Sequence, residues 1–324
     1  MSISRERLIR EAAASGFRPE IFEKAVRLLD LLSALRSHPF LKDRIALKGG
    51  TALNLFHFDV PRLSVDIDLN YIGSADREVM LEERPKIEQA TMAACEREKI
   101  HVRKQPDEHA GGKWLLRYES AQGGGGNLEL DFNFLLRVPL WDIAVMDSKK
   151  IGASVAESIP VLDIHELAAG KLCAVLARNA ARDLFDAHHL LTTCDLDMAR
   201  LKIGLVVYGC MSRRDWRTVK LDEVVFDPAE IESSLLPLLR IPRGTEQPRA
   251  LNWSEQIQVE CRTALEPLLS FSDEEVEFMN RLLDHGEIEP DLITGDNELS
   301  ARILAHPGLK WKAMNVRKHR DLNP

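Results

Sequence analysis

Residues 63–69 read Leu-Ser-Val-Asp-Ile-Asp-Leu, an alternation of apolar and polar side chains that fits a strand with one buried face. Side chains two apart on a strand share a face, so Asp66 and Asp68 turn the same way while Val65, Ile67 and Leu69 face a core. Carboxylates held this close repel, and each raises the pKa of the other unless a cation lies between them. An oxygen-rich site of this kind suits Mg2+ or Mn2+. Alone, Asp-x-Asp is a short pattern that a solvated strand face also produces.

The surroundings sharpen it. Upstream lies Lys48-Gly49-Gly50-Thr51, where glycines let backbone approach a ligand and the following helix start offers N–H groups to phosphate oxygens. Gly49, Gly50 and Thr51 are therefore candidate nucleotide ligands, joined to the acidic strand by a short helix through Leu53, Leu55 and Phe56. A second alternation, Leu130-Asp131-Phe132-Asn133-Phe134, puts Asp131 on a polar face with Glu129 and Asn133. Three carboxylates on neighbouring strands can hold two divalent ions that align a hydroxyl with the α-phosphate of a nucleotide and offset charge on pyrophosphate. Asp66, Asp68 and Asp131 are the candidate metal ligands and catalytic carboxylates, with Asp131 also the candidate general base.

Read as one helix, residues 165–191 place Lys171, Arg178, Arg182 and His189 on one side and Leu172, Leu176, Leu184 and Leu191 on the other. Such a stripe is either a solvated face or a set of cations for a triphosphate, with Lys171 the candidate catalytic and nucleotide-binding residue and Arg178 and Arg182 beside it. Asp183 and Asp186 either orient these cations or are surface partners worth about 0.2–0.5 kcal/mol each. His188-His189 reads as a core-edge pair and takes no role. Near the C-terminus, Lys310, Trp311, Lys312, Arg317, Lys318, His319 and Arg320 mix cations with an aromatic, compatible with gripping RNA phosphates and a base, or equally with a solvated tail.

With 324 residues, 45% of them hydrophobic, the chain can bury one large core or two. No apolar run of about 18 residues is present to cross a bilayer, so a cytoplasmic protein is expected. The five cysteines are scattered without metal-binding spacing and read as reduced thiols. A net charge of −8 argues against wholesale electrostatic capture of nucleic acid but leaves room for a local basic patch. The pattern predicts an α+β chain: helices over 18–35 and 76–99, strands over 63–69 and 114–136 split by Gly123–Gly126, and helices over 199–211, 229–239, 253–269 and 272–284. This divides into a core at 1–150, a mixed sheet with flanking helices preceded by N-terminal helices, and a helical region at 151–324 carrying Lys171; residues 241–250 read as a linker.

The blocks LKGGTALNL (47–55), PRLSVDIDLNY (61–71), LELDFNF (128–134), HELAAGKLCAVLARNAARDLFDAHHLL (165–191) and GLKWKAMNVR (308–317) together resemble the AbiEii/AbiGii-type nucleotidyltransferase toxins of the DNA polymerase β-like superfamily. Gly50-Thr51 stands where the family has glycine-serine, which keeps the hydroxyl. The resemblance implies that Gly50 and Thr51 contact nucleotide phosphates, Asp66 and Asp68 bind metal, Asp131 is the third carboxylate, Lys171 contacts the nucleotide, and Asp183 or Asp186 completes the helical block. It further implies a toxin of a toxin–antitoxin or phage-defence system with a cognate antitoxin, transferring NMP from an NTP to RNA, with the tRNA 3′ end as acceptor and translation blocked. Alternatives are transfer to a protein or small molecule, and a non-catalytic NTP-binding module.

Overall fold

The computed structural model describes residues 3–105, 111–241 and 250–319. The chain divides into two compact units that interleave in sequence: Met1–Arg137, Ile143–Leu162 and Leu235–Gln247 form the first, and Val138–Asp142, Asp163–Ser234 and Pro248–Pro324 the second. Where a single cut is expected after residue 150, the first unit continues to Leu162, because a strand at Ile159–Val161 joins its sheet.

That sheet has seven strands, β1 (Ile45–Lys48), β2 (Asp66–Tyr71), β3 (His101–Lys104), β4 (Gly111–Glu119), β5 (Gly125–Asn133), β6 (Ala144–Met146) and β7 (Ile159–Val161), in the order β3-β4-β5-β2-β1-β7-β6. It is mixed, as expected: β2 runs antiparallel to β1 and parallel to β5, and β5 runs antiparallel to β4. The β4–β5 hairpin turns through Gly123 and Gly124, at φ 95 and 76, a left-handed region glycine enters without steric cost. Trp114, Leu116, Tyr118, Leu130 and Phe132 alternate into the core beside Ile67, Leu69 and Tyr71.

Four helices complete this unit: α1 (Arg5–Ser15), α2 (Pro19–Ser37), the four-residue α3 (Gly49–Ala52), which continues as a wider turn over Leu53–His57, and α4 (Arg77–Arg97). Proline opens α2 at a position that needs no N–H donor, and Asp76 caps α4 by accepting from the N–H groups of Glu78 and Val79. The acidic strand starts at Asp66 and not at Leu63, because residues 61–63 pair elsewhere. Leu63 donates to the Leu238 carbonyl at 2.9 Å, and Arg240 donates to that of Pro61 at 3.0 Å.

The second unit is helical: α5 (Ile164–Arg178), α6 (Ala181–Thr193), α7 (Met198–Met211), α8 (Pro228–Glu230), α9 (Ala250–Leu269), α10 (Asp273–Asn280), α11 (Asn297–Ala305) and α12 (Pro307–His319), with short helical turns between. The unbroken helix expected across 165–191 is two. Asn179 ends α5 at φ 50, ψ 34, a left-handed conformation that asparagine tolerates better than most residues, and extended Ala180 starts α6. Of the expected linker, Ile241 is tied to the Gly16 carbonyl at 2.9 Å, and residues 242–249 lie outside the described residues, as does Arg320. The cysteines are free thiols, and no described helix is long and apolar enough to cross a membrane.

Candidate active site

The β ladders decide which acidic side chains meet. In the parallel β2–β5 pairing Asp66 stands opposite Glu129 and Asp68 opposite Asp131, so all four carboxylates share one face while Ile67, Leu69, Leu130 and Phe132 are buried behind. Lys48 lies opposite Asp68 on the other side. The structure thus brings Asp66, Asp68 and Asp131 onto adjacent strands.

The glycine turn is fitted to this face. Gly49 adopts φ +72, and a Cβ there would lie 2.1 Å from Asp68 Oδ2, so backbone packs directly on the carboxylate and no larger residue fits. Thr51, fully buried, donates its hydroxyl to the Asp66 carbonyl at 2.5 Å. Asn54 donates to the Gly50 carbonyl at 3.0 Å. The turn between β1 and α3 is thereby pinned to the strand carrying the acids.

Sequence reasoning missed Lys113. The antiparallel β4–β5 register sets it opposite Asp131, and its ammonium lies 2.5 Å from Glu129 Oε2. Its pKa is raised, chiefly by the hydrogen bond to Glu129, with Glu129, Asp66 and Asp131 all adding attraction. The alternation Lys113-Trp114-Leu115-Leu116 does mark Lys113 as outward-facing, but pairing with β5 is nonlocal and leaves no trace in the segment itself.

The donor set fits a hard divalent ion: oxygen ligands only, on adjacent strands, with a backbone cradle against Asp68 that a Cβ would fill. Among the described residues no three acidic, histidine or cysteine side chains already converge as a closed cluster. The ladder fixes the backbone positions of Asp66, Asp68 and Asp131 on adjacent strands.

The cations expected from the helical block belong to the second unit. Lys171 is not on a solvated stripe: its side chain is 9% exposed, with Nζ 2.7 Å from Asp183 Oδ1 and 3.0 Å from Asp186 Oδ2. Arg178, mostly exposed, reaches Asp183 Oδ2 through Nε at 2.5 Å. Burial pushes the Asp183 carboxyl up, but Lys171 and Arg178 outweigh it and hold the group below its ordinary value. Asp183 and Asp186 are thus buried partners, not surface ones. Arg182 is half-buried on α6, His189 stacks on Phe185 with ring centroids 6.2 Å apart, and His188 Nε2 lies 2.6 Å from Glu260.

A model of the family described as nucleotidyl transferase AbiEii toxin, type IV toxin–antitoxin system, matches residues 30–270. Among solved structures, the chain is similar to MenT4, a nucleotidyltransferase toxin from Mycobacterium tuberculosis H37Rv, with a TM-score of 0.63 and 18% identity over 95% of this chain and 99% of that one. At that identity the likeness speaks for the fold. A comparison with curated proteins finds no match.

Proposed function

Since the chain belongs to the AbiEii family of nucleotidyltransferase toxins of type IV toxin–antitoxin systems, we propose that it transfers a nucleoside monophosphate from an NTP to the 3′ end of an RNA, with tRNA as acceptor, and so blocks translation. The observation that carries the reading is the parallel β2–β5 register, which sets Asp68 beside Asp131 and keeps Asp66 on their face. In the reaction the acceptor hydroxyl oxygen bonds to the α-phosphorus, the bond from that phosphorus to the bridging oxygen breaks, and pyrophosphate leaves. Asp131 accepts the hydroxyl proton. Asp66, Asp68 and Asp131 would hold Mg2+ or Mn2+, which supplies charge neutralisation and alignment of the reacting oxygens. Gly49, Gly50 and Thr51 would cradle phosphate oxygens through backbone N–H groups, as a helix start can. Lys171 is assigned to triphosphate charge on the cationic pattern of the sequence and on the resemblance, and Arg178 and Arg182 on the cationic pattern.

RNA is favoured over a protein or small-molecule acceptor by α12. It exposes Trp311 (51%) and Met314 (57%) beside Lys310 and Lys318, and residues 299–319 contain no Asp or Glu although the chain carries −8 overall. The acids on the turn packed against α12 have their own arginines: Asp284 pairs with Arg217, and Glu287 with Arg281. An aromatic flanked by lysines suits a phosphodiester chain and a stacked base.

The direct test incubates purified protein with each labelled NTP, Mg2+ and total tRNA. Label is expected at an RNA 3′ end, lost in Asp66→Ala and Asp131→Asn. Folded protein that labels no RNA with any NTP would overturn the assignment.

A further inference from the structure

Lys113 stands among four carboxylates, and nothing in the proposed chemistry uses it. It faces Asp131 across the β4–β5 ladder, holds Glu129 at 2.5 Å, and feels the charge of Asp66 as well as Asp131. Glu129 shares the face of the three candidate ligands, directly opposite Asp66, so register alone makes it as eligible for a divalent ion as they are. Its carboxylate is engaged by the Lys113 ammonium at 2.5 Å. We propose that Lys113 is a positioning residue of the carboxylate face: it holds Glu129 out of the metal-ligand set and, as a resident positive charge, weakens and thereby tunes divalent-ion binding by Asp66, Asp68 and Asp131.

The physical basis is competition for the same anionic oxygens. A fixed unit charge roughly 6 Å from an incoming divalent cation, screened about as strongly as in water, opposes it by enough to cost about tenfold in affinity. Removing that charge favours the ion and at the same time frees a fourth carboxylate. A site with four carboxylates binds more tightly and favours larger ions with higher coordination numbers, at the expense of the three-carboxylate arrangement on which nucleotide transfer rests. The inference rests on the proposed assignment of Asp66, Asp68 and Asp131 as metal ligands, but not on the identity of NTP or acceptor.

Mn2+ binding to metal-free, full-length protein, followed by calorimetry and by loss of the free-ion magnetic resonance signal, tests it without recourse to activity. Lys113→Met should bind Mn2+ about tenfold more tightly than the wild type, the effect of one nearby unit charge. Lys113→Arg, which keeps charge and pairing, should match the wild type. Glu129→Gln should bind no more tightly than the wild type, and Lys113→Met combined with Glu129→Gln should return to near wild-type affinity. Lys113 is 54% exposed along its side chain, so the variants should fold, which melting curves check. Unchanged or weaker binding by Lys113→Met, or a loss in Glu129→Gln as large as in Asp66→Asn, would overturn the proposal while leaving the metal site intact. A folded wild type that binds no Mn2+ would overturn the metal site itself, and this role with it.

Discussion

The Thr51 hydroxyl donates to the Asp66 carbonyl at 2.5 Å, tying the glycine turn to the first acid of β2 across fifteen residues of sequence. Thr51 is fully buried, so the bond fixes the turn against the acidic strand from its inner side. Thr51→Val removes the donor with little change in shape and should cost about 1–3 kcal/mol in denaturant unfolding, with a loss of transfer activity. Thr51→Ser should restore both, and a Val variant with unchanged stability and turnover would deny the tie any importance.

Gly49 leaves little room for change at the carboxylate face. A methyl group there must displace the Asp68 carboxylate and hold a left-handed φ, which costs an L-residue about 1–2 kcal/mol. Gly49→Ala should therefore lose activity by at least two orders of magnitude while staying folded, with weakened Mn2+ binding as the independent reading.

Lys171 links Asp183 and Asp186 within the helical unit, and removing it takes the ammonium from two buried carboxylates, of which Asp183 keeps its contact with Arg178. Lys171→Ala should lose about 3–5 kcal/mol of stability, a cost that must be measured before any loss of activity is read as loss of nucleotide binding. Pairing it with Asp186→Asn should recover part of the stability and none of the transfer.

If α12 grips RNA, Trp311→Ala should raise the KM for tRNA about tenfold, matching the ~1–3 kcal/mol of one stacked base, and leave the KM for NTP unchanged. Reversing Lys310 and Lys318 to glutamate should flatten the salt dependence of RNA binding by about 0.7 in log–log slope for each phosphate no longer neutralised. Equal effects on both substrates would argue against a docking role.

Glu166 gives the helical unit a pH dependence. Burial pushes its carboxyl up to about 7, although the Tyr208 hydroxyl at 2.7 Å and the Leu140 N–H at 3.0 Å pull it back toward ionisation. The folded state binds this proton more tightly than the unfolded chain, where the ordinary value is 4.5. The contribution is therefore whole below about pH 4.5 and lost as pH rises toward 7, by at most on the order of 3 kcal/mol. Glu166→Gln should flatten the fall in unfolding midpoint across that window, and an unaltered slope would place the titration elsewhere.

The faces of the acidic strands were legible because strand periodicity is local: Asp68 and Asp131 each sit between core residues and Asp66 precedes buried Ile67, although Val65, expected to face the core, is only half-buried. Their adjacency was not, since pairing β2 with β5 joins segments sixty residues apart, and the same nonlocality hid Lys113 opposite Asp131. The helical block misled in a different way. Its spacing runs smoothly through Asn179, and only the left-handed backbone there turns Lys171 from an exposed cation into the buried partner of two aspartates.

The sheet's dependence on distant segments has a consequence for synthesis. β7 follows β2 by some ninety residues, and the stretch that pairs with residues 61–63 arrives only at 238–240. A nascent chain leaving the ribosome therefore exposes the acidic strands well before the last of the partners that complete their unit, with residues 138–142 and 163–234 of the helical unit translated in between. A truncation at residue 150 removes β7 and the stretch at 238–240 from the first unit, and should leave its sheet less stable than in the full chain.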